Sequence, residues 1–91
     1  MIHPSAVVSK NAKIHETSEI GPFCTIGDGV NIGKNNRLIS HVSITGNTNI
    51  EYNNLFYPFC SIGSEPQDLK YNNEKSFLKI GSNNKFRENV T

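Results

Sequence analysis

The sequence has no excess of either charge, few cysteines and no long apolar run, and each of these features argues against a class of function. Nine Lys and Arg residues stand against eight Asp and Glu residues, which gives a net charge of +1. Without a basic stripe, binding to a nucleic-acid backbone or to anionic lipid is not expected. No apolar stretch approaches the length of a transmembrane helix, and the first residues do not read as a signal peptide. The composition therefore predicts a cytoplasmic protein without membrane insertion.

The 91 residues can form one small domain. Ile, Leu, Val and Phe together make up 24 of the 91 residues, which is enough apolar material for a folded chain. Asparagine is unusually frequent, and it occurs in adjacent pairs at 35–36, 53–54, 72–73 and 83–84. Because asparagine tolerates left-handed backbone conformations, this composition predicts many tight turns and few helices.

A six-residue repeat of large apolar side chains runs through most of the chain. Every sixth position from Ile2 to Ile62 is occupied by Ile, Val, Leu or Phe: Ile2, Val8, Ile14, Ile20, Ile26, Ile32, Leu38, Ile44, Ile50, Phe56 and Ile62. Four positions after each of the first ten stands a mostly small residue: Ala6, Ala12, Ser18, Cys24, Val30, Asn36, Val42, Thr48, Asn54 and Cys60. This period matches neither a strand nor a helix, and indicates a repeat architecture.

The repeat is explained by a prism of short strands. Each hexad forms one flat side and a turn, three hexads form one coil, and successive coils stack. The large residue and the small one four places later point inward, while Gly, Asn and Asp occupy the corners. Residues 18 apart then lie in register, so that Ser18, Asn36 and Asn54 form a buried polar column whose side chains can hydrogen-bond along the axis.

The pattern resembles the hexapeptide-repeat family of left-handed parallel β-helix proteins. The resemblance implies an all-β fold in which three hexads build each coil, and the left hand comes from the family alone, because parallel crossovers are right-handed in general. In this interpretation residues 1–91 are the N-terminal part of a single β-helix domain.

The repeat is interrupted once, between Gly63 and Ile80. The paired asparagines at 53–54 and 83–84 are separated by five hexads, which is one coil of three hexads plus about two more. We therefore expect a loop of about residues 64–79 to leave the prism and return in frame at Ile80. Long loops on rigid solenoids commonly carry binding residues.

The loop and its flanks resemble the bacterial UDP-N-acetylglucosamine O-acyltransferases. The matching segments are Ile20-Gly21-Pro22-Phe23-Cys24, Ser40-His41-Val42, Ile62-Gly63, Pro66-Gln67-Asp68-Leu69-Lys70-Tyr71, Glu74, Ile80-Gly81, Asn84, Arg87-Glu88 and Val90-Thr91. Asn73 departs from the family, which usually has glycine before the glutamate, although asparagine also tolerates a left-handed turn.

The resemblance implies transfer of a β-hydroxyacyl chain from acyl carrier protein to the 3-hydroxyl of UDP-N-acetylglucosamine, the first step of lipid A biosynthesis, by a homotrimer. It implies substrate binding by Gln67, Asp68, Leu69 and Lys70, and no cofactor. The family's general-base histidine is expected beyond Thr91. We therefore expect this chain to be an N-terminal fragment that contains no catalytic residue and is inactive alone.

Three alternatives remain open from the sequence: the sister N-acyltransferase of the pathway, a sugar acetyltransferase of the hexapeptide family, and a non-catalytic β-helix scaffold. A metal site is not expected, because His3, His15 and His41 do not fall in register at multiples of 18. Cys24 and Cys60 share a column but lie two coils apart, roughly 9–10 Å at the usual strand spacing. We expect them to be reduced, small core residues, too distant for a disulfide.

Overall fold

A computed structural model describes residues 1–63 and 78–87. Within these ranges the chain forms twelve short strands: β1 Val7–Val8, β2 Lys13–Ile14, β3 Glu19–Ile20, β4 Thr25–Ile26, β5 Asn31–Ile32, β6 Arg37–Leu38, β7 Ser43–Ile44, β8 Thr48–Ile50, β9 Leu55–Phe56, β10 Ser61–Ile62, β11 Leu78–Ile80 and β12 Lys85–Phe86. None of the described residues belongs to a helix that is long and apolar enough to cross a membrane.

Each strand from β1 to β9 pairs in parallel with the strand three places later in the chain. The strand orders are β1-β4-β7-β10 in the first sheet, β2-β5-β8-β11 in the second and β3-β6-β9-β12 in the third. Val8 lies opposite Ile26, which lies opposite Ile44, which lies opposite Ile62, so the register advances by three hexads at each step. This confirms the predicted coil: the three sheets are the three sides of a stacked prism.

The alternation within each two-residue strand builds the core. In β4, Thr25 faces outward and is exposed whereas Ile26 is buried, and β5 and β6 repeat the pattern. Each isoleucine so buried contributes about 2 kcal/mol of hydrophobic stabilisation. The core contains Ile20, Cys24, Ile26, Val30, Ile32, Leu38, Val42, Ile44, Ile50, Phe56, Cys60, Ile62 and Ile80.

The first coil departs from the predicted core. Ile2 is 46% exposed, and Val8 and Ile14 are half-buried against the cluster above them. Among the described residues this coil has a neighbour on one face only, whereas the inner coils are covered on both. Stacking therefore decides how deeply a repeat position is buried.

The buried asparagine column is present as predicted. The Asn36 amide donates to the carbonyl of Glu51 at 2.7 Å, and the backbone N–H of Asn54 donates to Asn36 Oδ1 at 2.9 Å. At the two ends of the column, Ser18 Oγ accepts from the Asn36 backbone N–H and Asn54 Oδ1 accepts from the Asn84 backbone N–H, both at 2.9 Å. No buried side-chain N or O atom of the described residues lacks a partner, so the column satisfies its own polar groups.

Candidate functional site

The predicted substrate loop lies in the connection between β10 and β11. In the third coil, residues 45–47 connect β7 in the first sheet to β8 in the second; in the next coil, residues 63–77 stand between β10 and β11 in the sequence. Gln67, Asp68, Leu69 and Lys70 lie outside the described residues, so their role in substrate binding stays a prediction. The described residues on either side establish where the segment leaves and re-enters.

The register across this connection confirms the frame inferred from the asparagine pairs. Leu78 lies opposite Thr48 and Ile80 opposite Ile50, an offset of five hexads, which is one coil of three plus two. β11 begins at Leu78, so the strand already includes the last two positions of the predicted loop. The connection thus returns in phase, and the core resumes with Ile80.

The two described residues that flank positions 64–77 hydrogen-bond to the turn of the coil below. The carbonyl of Gly63 accepts a hydrogen bond from Thr45 Oγ1 at 3.1 Å, and the backbone N–H of Leu78 donates to the carbonyl of Asn47 at 2.8 Å. Thr48 Oγ1 donates to the Thr45 carbonyl at 2.9 Å and holds that turn in shape. Gly63 and Leu78 are thus both fixed to the same turn by hydrogen bonds.

Gly63 is required at the point of departure. Its φ is +74°, and an added Cβ would stand 2.6 Å from Thr48 Oγ1 and closer still to the carbonyl oxygen of Thr45. A left-handed conformation and a backbone clash both act against any side chain there.

We expect Gly63→Ala to lower the free energy of unfolding by about 1–3 kcal/mol because it combines backbone strain with the loss of the Thr45 contact. Urea denaturation followed by circular dichroism measures the change. Gly81→Ala is the matched control, since among residues 1–63 and 78–87, its own chain neighbours aside, no atom lies within 4 Å of the place its Cβ would take, and its φ is outside the left-handed region. Equal stability of the two variants would contradict the assignment of Gly63 as an anchor.

A groove of about 700 Å³ runs over the outer face of the second sheet, the sheet that β11 joins. Its lining includes Lys13, His15, Lys34 and Tyr52. Lys13 and Lys34 are exposed, and the groove is also lined by Glu51, whose carboxylate lies 3.4 Å from Lys79 Nζ. Charged groups of both signs therefore border the groove, and its charge alone does not favour an anionic ligand.

The thiols are core groups, as predicted. Burial raises the pKa of the Cys24 thiol, an effect partly offset by hydrogen bonds with the backbone of Val42 and Gly21. Cys60 is also buried, and its thiol donates to the carbonyls of Phe86 and Arg87 at 3.0 and 2.9 Å. A buried thiol with a raised pKa is a poor nucleophile.

The sequence interpretation missed a ring stack on the corner before the first sheet. His41 lies between Phe23 and Phe59, with ring centroids 5.1 and 4.9 Å apart. The spacing of the three positions, one coil at each step, was the available signal. His3 and His15 are not part of this stack. The described residues hold no group of three His, Cys, Asp or Glu side chains placed for a metal ion.

Two curated relatives illustrate what the chain is similar to. The acyl-(acyl-carrier-protein)–UDP-N-acetylglucosamine O-acyltransferase of Psychrobacter sp. is 54% identical over 87 residues, which are 96% of this chain and 34% of the relative. The enzyme of the same name from Thermodesulfovibrio yellowstonii is 50% identical over 90 residues, 99% of this chain and 35% of the relative. The chain thus spans about a third of the length of the curated relatives it matches. No family model matches.

Solved structures agree with these relatives. The UDP-N-acetylglucosamine O-acyltransferase of Moraxella catarrhalis superposes with a TM-score of 0.89 at 47% identity, over 96% of this chain and 34% of that one. The UDP-N-acetylglucosamine acyltransferase of Bacteroides fragilis gives 0.90 at 43% identity, over 98% and 35%.

The fold is therefore a left-handed parallel β-helix built from hexapeptide repeats, as the family resemblance implied. Within that class, the chain is homologous over nearly its whole length to the UDP-N-acetylglucosamine O-acyltransferases, which confirms the resemblance first seen in the motifs.

Proposed function

We propose that this protein serves in the transfer of a β-hydroxyacyl chain from acyl carrier protein to the 3-hydroxyl of UDP-N-acetylglucosamine, the first step of lipid A biosynthesis. The observation that carries the proposal is about 50% identity over nearly the whole chain to enzymes of that name. The string from Gln67 to Tyr71, in the sequence between β10 and β11, supports it.

Within this proposal, residues 67–70 bind the substrates. The carboxylate of Asp68 and the amide of Gln67 suit the hydroxyl and amide groups of the sugar, while the Lys70 ammonium suits a phosphate oxygen or the thioester carbonyl. The sugar 3-hydroxyl attacks the thioester carbonyl, its proton passes to a general base, and the carrier thiol leaves. The described anchors at Gly63 and Leu78 would hold the binding segment during this step.

The side chains of the described histidines are engaged in local hydrogen bonds or ring stacking, which argues that the general base lies elsewhere in the enzyme. His3 Nδ1 accepts from the Ser5 backbone N–H at 3.0 Å, and His15 Nδ1 accepts from the Thr17 backbone N–H at 3.1 Å. His41 is stacked between two aromatic rings. The proposed base therefore belongs to the part of the relatives' length that this chain does not match.

The proposal extends to assembly and location. We place the reaction in the cytoplasm and infer a homotrimer, as the family resemblance implies. Residues 67–70 of one copy would then share a substrate with a neighbouring copy, since the groove that the described residues form is open rather than enclosed.

A hybrid enzyme tests the proposed reaction. The 91 residues replace the matching third of the Psychrobacter enzyme, and acyl transfer from β-hydroxyacyl-acyl carrier protein to UDP-N-acetylglucosamine is followed by mass spectrometry. We expect the hybrid to form the 3-O-acyl product and the 91-residue chain alone to form none.

Two control substrates distinguish the proposed reaction from the alternative acyl transfers. A UDP-amino sugar with a free amine and acetyl-coenzyme A are offered as the substrates of the sister N-acyltransferase and of a sugar acetyltransferase. A folded hybrid that acylates neither hydroxyl nor amine, or that prefers a control substrate, would overturn the proposal. Activity of the 91-residue chain alone would reassign the general base to one of its own histidines.

A further inference from the structure

The junction between the first and second coils is built differently from the junctions above it. In the upper coils, four corner residues with left-handed backbones donate their N–H groups to backbone carbonyls of the coil below. These pairs are His41 to Pro22, Asn53 to Lys34, Phe59 to His41 and Asn83 to Tyr52, at 3.0–3.1 Å. At the first junction, Phe23 and Asn35 have the same left-handed backbone, but they donate to the side-chain hydroxyls of Ser5 and Thr17, at 3.1 and 2.9 Å. Two side chains thus replace backbone carbonyls at this junction.

Each of the two hydroxyls is held by a histidine of the first coil. Ser5 Oγ lies 2.9 Å from His3 Nδ1, and the Ser5 backbone N–H donates to the same nitrogen at 3.0 Å. Thr17 and His15 repeat the arrangement, at 2.9 Å for the hydroxyl and 3.1 Å for the backbone N–H. A backbone N–H can only donate, so Nδ1 is the acceptor, and each hydroxyl has its own hydrogen available for the same nitrogen. Both corners therefore require a neutral imidazole with its hydrogen on Nε2.

Protonation of either imidazole removes this acceptor. A protonated imidazole has hydrogen on both ring nitrogens and accepts no hydrogen bond, so the turn N–H and the hydroxyl lose their partner together. Histidine is the side chain that ordinarily takes up a proton just below neutral pH. Among the described residues the first coil is covered by another coil on one face only, so few other contacts compensate for the loss.

We propose that His3 and His15, with the hydroxyls of Ser5 and Thr17, form a proton-sensitive clasp that holds the first coil against the second while both imidazoles are neutral and releases it when they are protonated. The closed clasp has no proton on Nδ1 and the open clasp accepts one, so a fall in pH favours the open form.

The third corner of the first coil is held without an imidazole. The Asn11 backbone N–H donates to Ser9 Oγ at 3.1 Å, and that hydroxyl donates to the carboxylate of Asp28 in the second coil. Ser9 therefore takes the place that His3 and His15 have at the other corners. The first coil stays attached at this corner, and we expect the clasp to loosen it locally rather than to unfold the chain.

The charged groups around the two histidines differ. Residues 2–9 and 20–27, which contain His3 and the corner above it, include no Asp, Glu, Lys or Arg. The nearest charges along the chain and on the strand above are already engaged: the Met1 ammonium donates to the Ser18 carbonyl at 2.7 Å, and Glu19 pairs with Arg37. The titratable groups near His15 are the adjacent Glu16 and the residues that line the groove with it, Lys13, Lys34, Glu51 and Tyr52. His3 thus tests the hydrogen-bond geometry without close neighbouring charges, and each corner is measured separately.

Amide exchange in the 91-residue chain tests each corner by its own donor. The N–H groups of Phe23 and Asn35 report on the clasp. Those of Phe59 and Asn53 are matched controls, because they have the same residue types and left-handed backbones but donate to backbone carbonyls. NMR measures the exchange rates at about pH 7.5 and about pH 5.5, on either side of the ordinary titration of imidazole. Division of the intrinsic rates by these rates gives protection factors at each pH.

Two conservative variants separate the histidines. His3→Asn and His15→Asn each supply a side-chain oxygen that accepts from the N–H two residues later and does not titrate. We expect the protection factors of Phe23 and Asn35 in the unmodified chain to fall about threefold or more between the higher and the lower pH, because hydrogen bonds of ordinary strength are lost. The controls should not change. His3→Asn should abolish the fall at Phe23 alone, and His15→Asn the fall at Asn35 alone.

Three results would overturn the inference: no protection of Phe23 and Asn35 at the higher pH, an equal fall at the clasp donors and at the controls, or a fall that persists in the asparagine variants. The measurement involves neither acyl transfer nor assembly, so its outcome is independent of the proposed reaction.

Discussion

Replacing Ile32 with aspartate is expected to abolish folding. Ile32 is 3% exposed and packs in the middle of the core between the coils that contain Ile14 and Ile50. A carboxylate there either stays charged without a partner or takes up a proton at a cost of several kcal/mol. A domain of this size has a total stability of about 5–15 kcal/mol, and the same change also removes the stabilisation from the isoleucine.

Asn31→Asp is the control for this prediction, since Asn31 is the neighbouring residue of β5 but faces solvent. Thermal unfolding by circular dichroism should show a cooperative transition for Asn31→Asp and none for Ile32→Asp. A cooperative transition for Ile32→Asp within about 5 °C of the unmodified chain would mean that the interior of the prism does not determine its stability.

Replacing Asp68 or Lys70 with alanine is expected to reduce kcat/KM of the hybrid enzyme at least tenfold, about 1.4 kcal/mol of transition-state stabilisation for each residue. The physical reason is the loss of a charged hydrogen bond to the sugar or to an anionic oxygen of the substrates. Steady-state rates at varied UDP-N-acetylglucosamine concentration measure the effect. Melting temperature and assembly mass should remain unchanged, because the substitutions remove charge without a change of backbone geometry.

Lys85→Ala is the matched control, because Lys85 is exposed on β12, in a different sheet from the strands that the connection between β10 and β11 joins. Its kcat/KM should stay within twofold of the unmodified hybrid. If Asp68→Ala and Lys70→Ala keep full activity, or lose it only together with assembly, residues 67–70 are structural and the assignment of the binding segment is wrong.

The core and the polar column could be predicted from the chain because both follow from one period. An apolar residue every sixth position must be placed inward on every side of a three-sided coil, and this requirement identified Ile26, Leu38 and Phe56 as core residues. The same period placed Asn36 above Ser18 in a buried polar column, although the hydrogen bonds there join side chains to backbone groups rather than one side-chain amide to the next. The five hexads between the asparagine pairs gave the correct frame for the return at Ile80.

The prediction failed where the number of neighbouring coils matters. Ile2 has the residue type and position of a core residue, yet it is largely exposed because stacking on one face only cannot bury it. The sequence period describes one coil and contains no information on how many coils lie above and below a given position.

By itself, the sequence determined the six-residue period, the coil of three hexads, the frame of the insertion and the motif that relates the chain to its homologues, because each is a regularity along the chain. The tertiary structure decided which side chains meet between coils. It placed His41 between Phe23 and Phe59, and it made Gly63 indispensable through the carbonyl of Thr45. Those contacts depend on the distance and angle between stacked coils, and a one-dimensional pattern specifies neither.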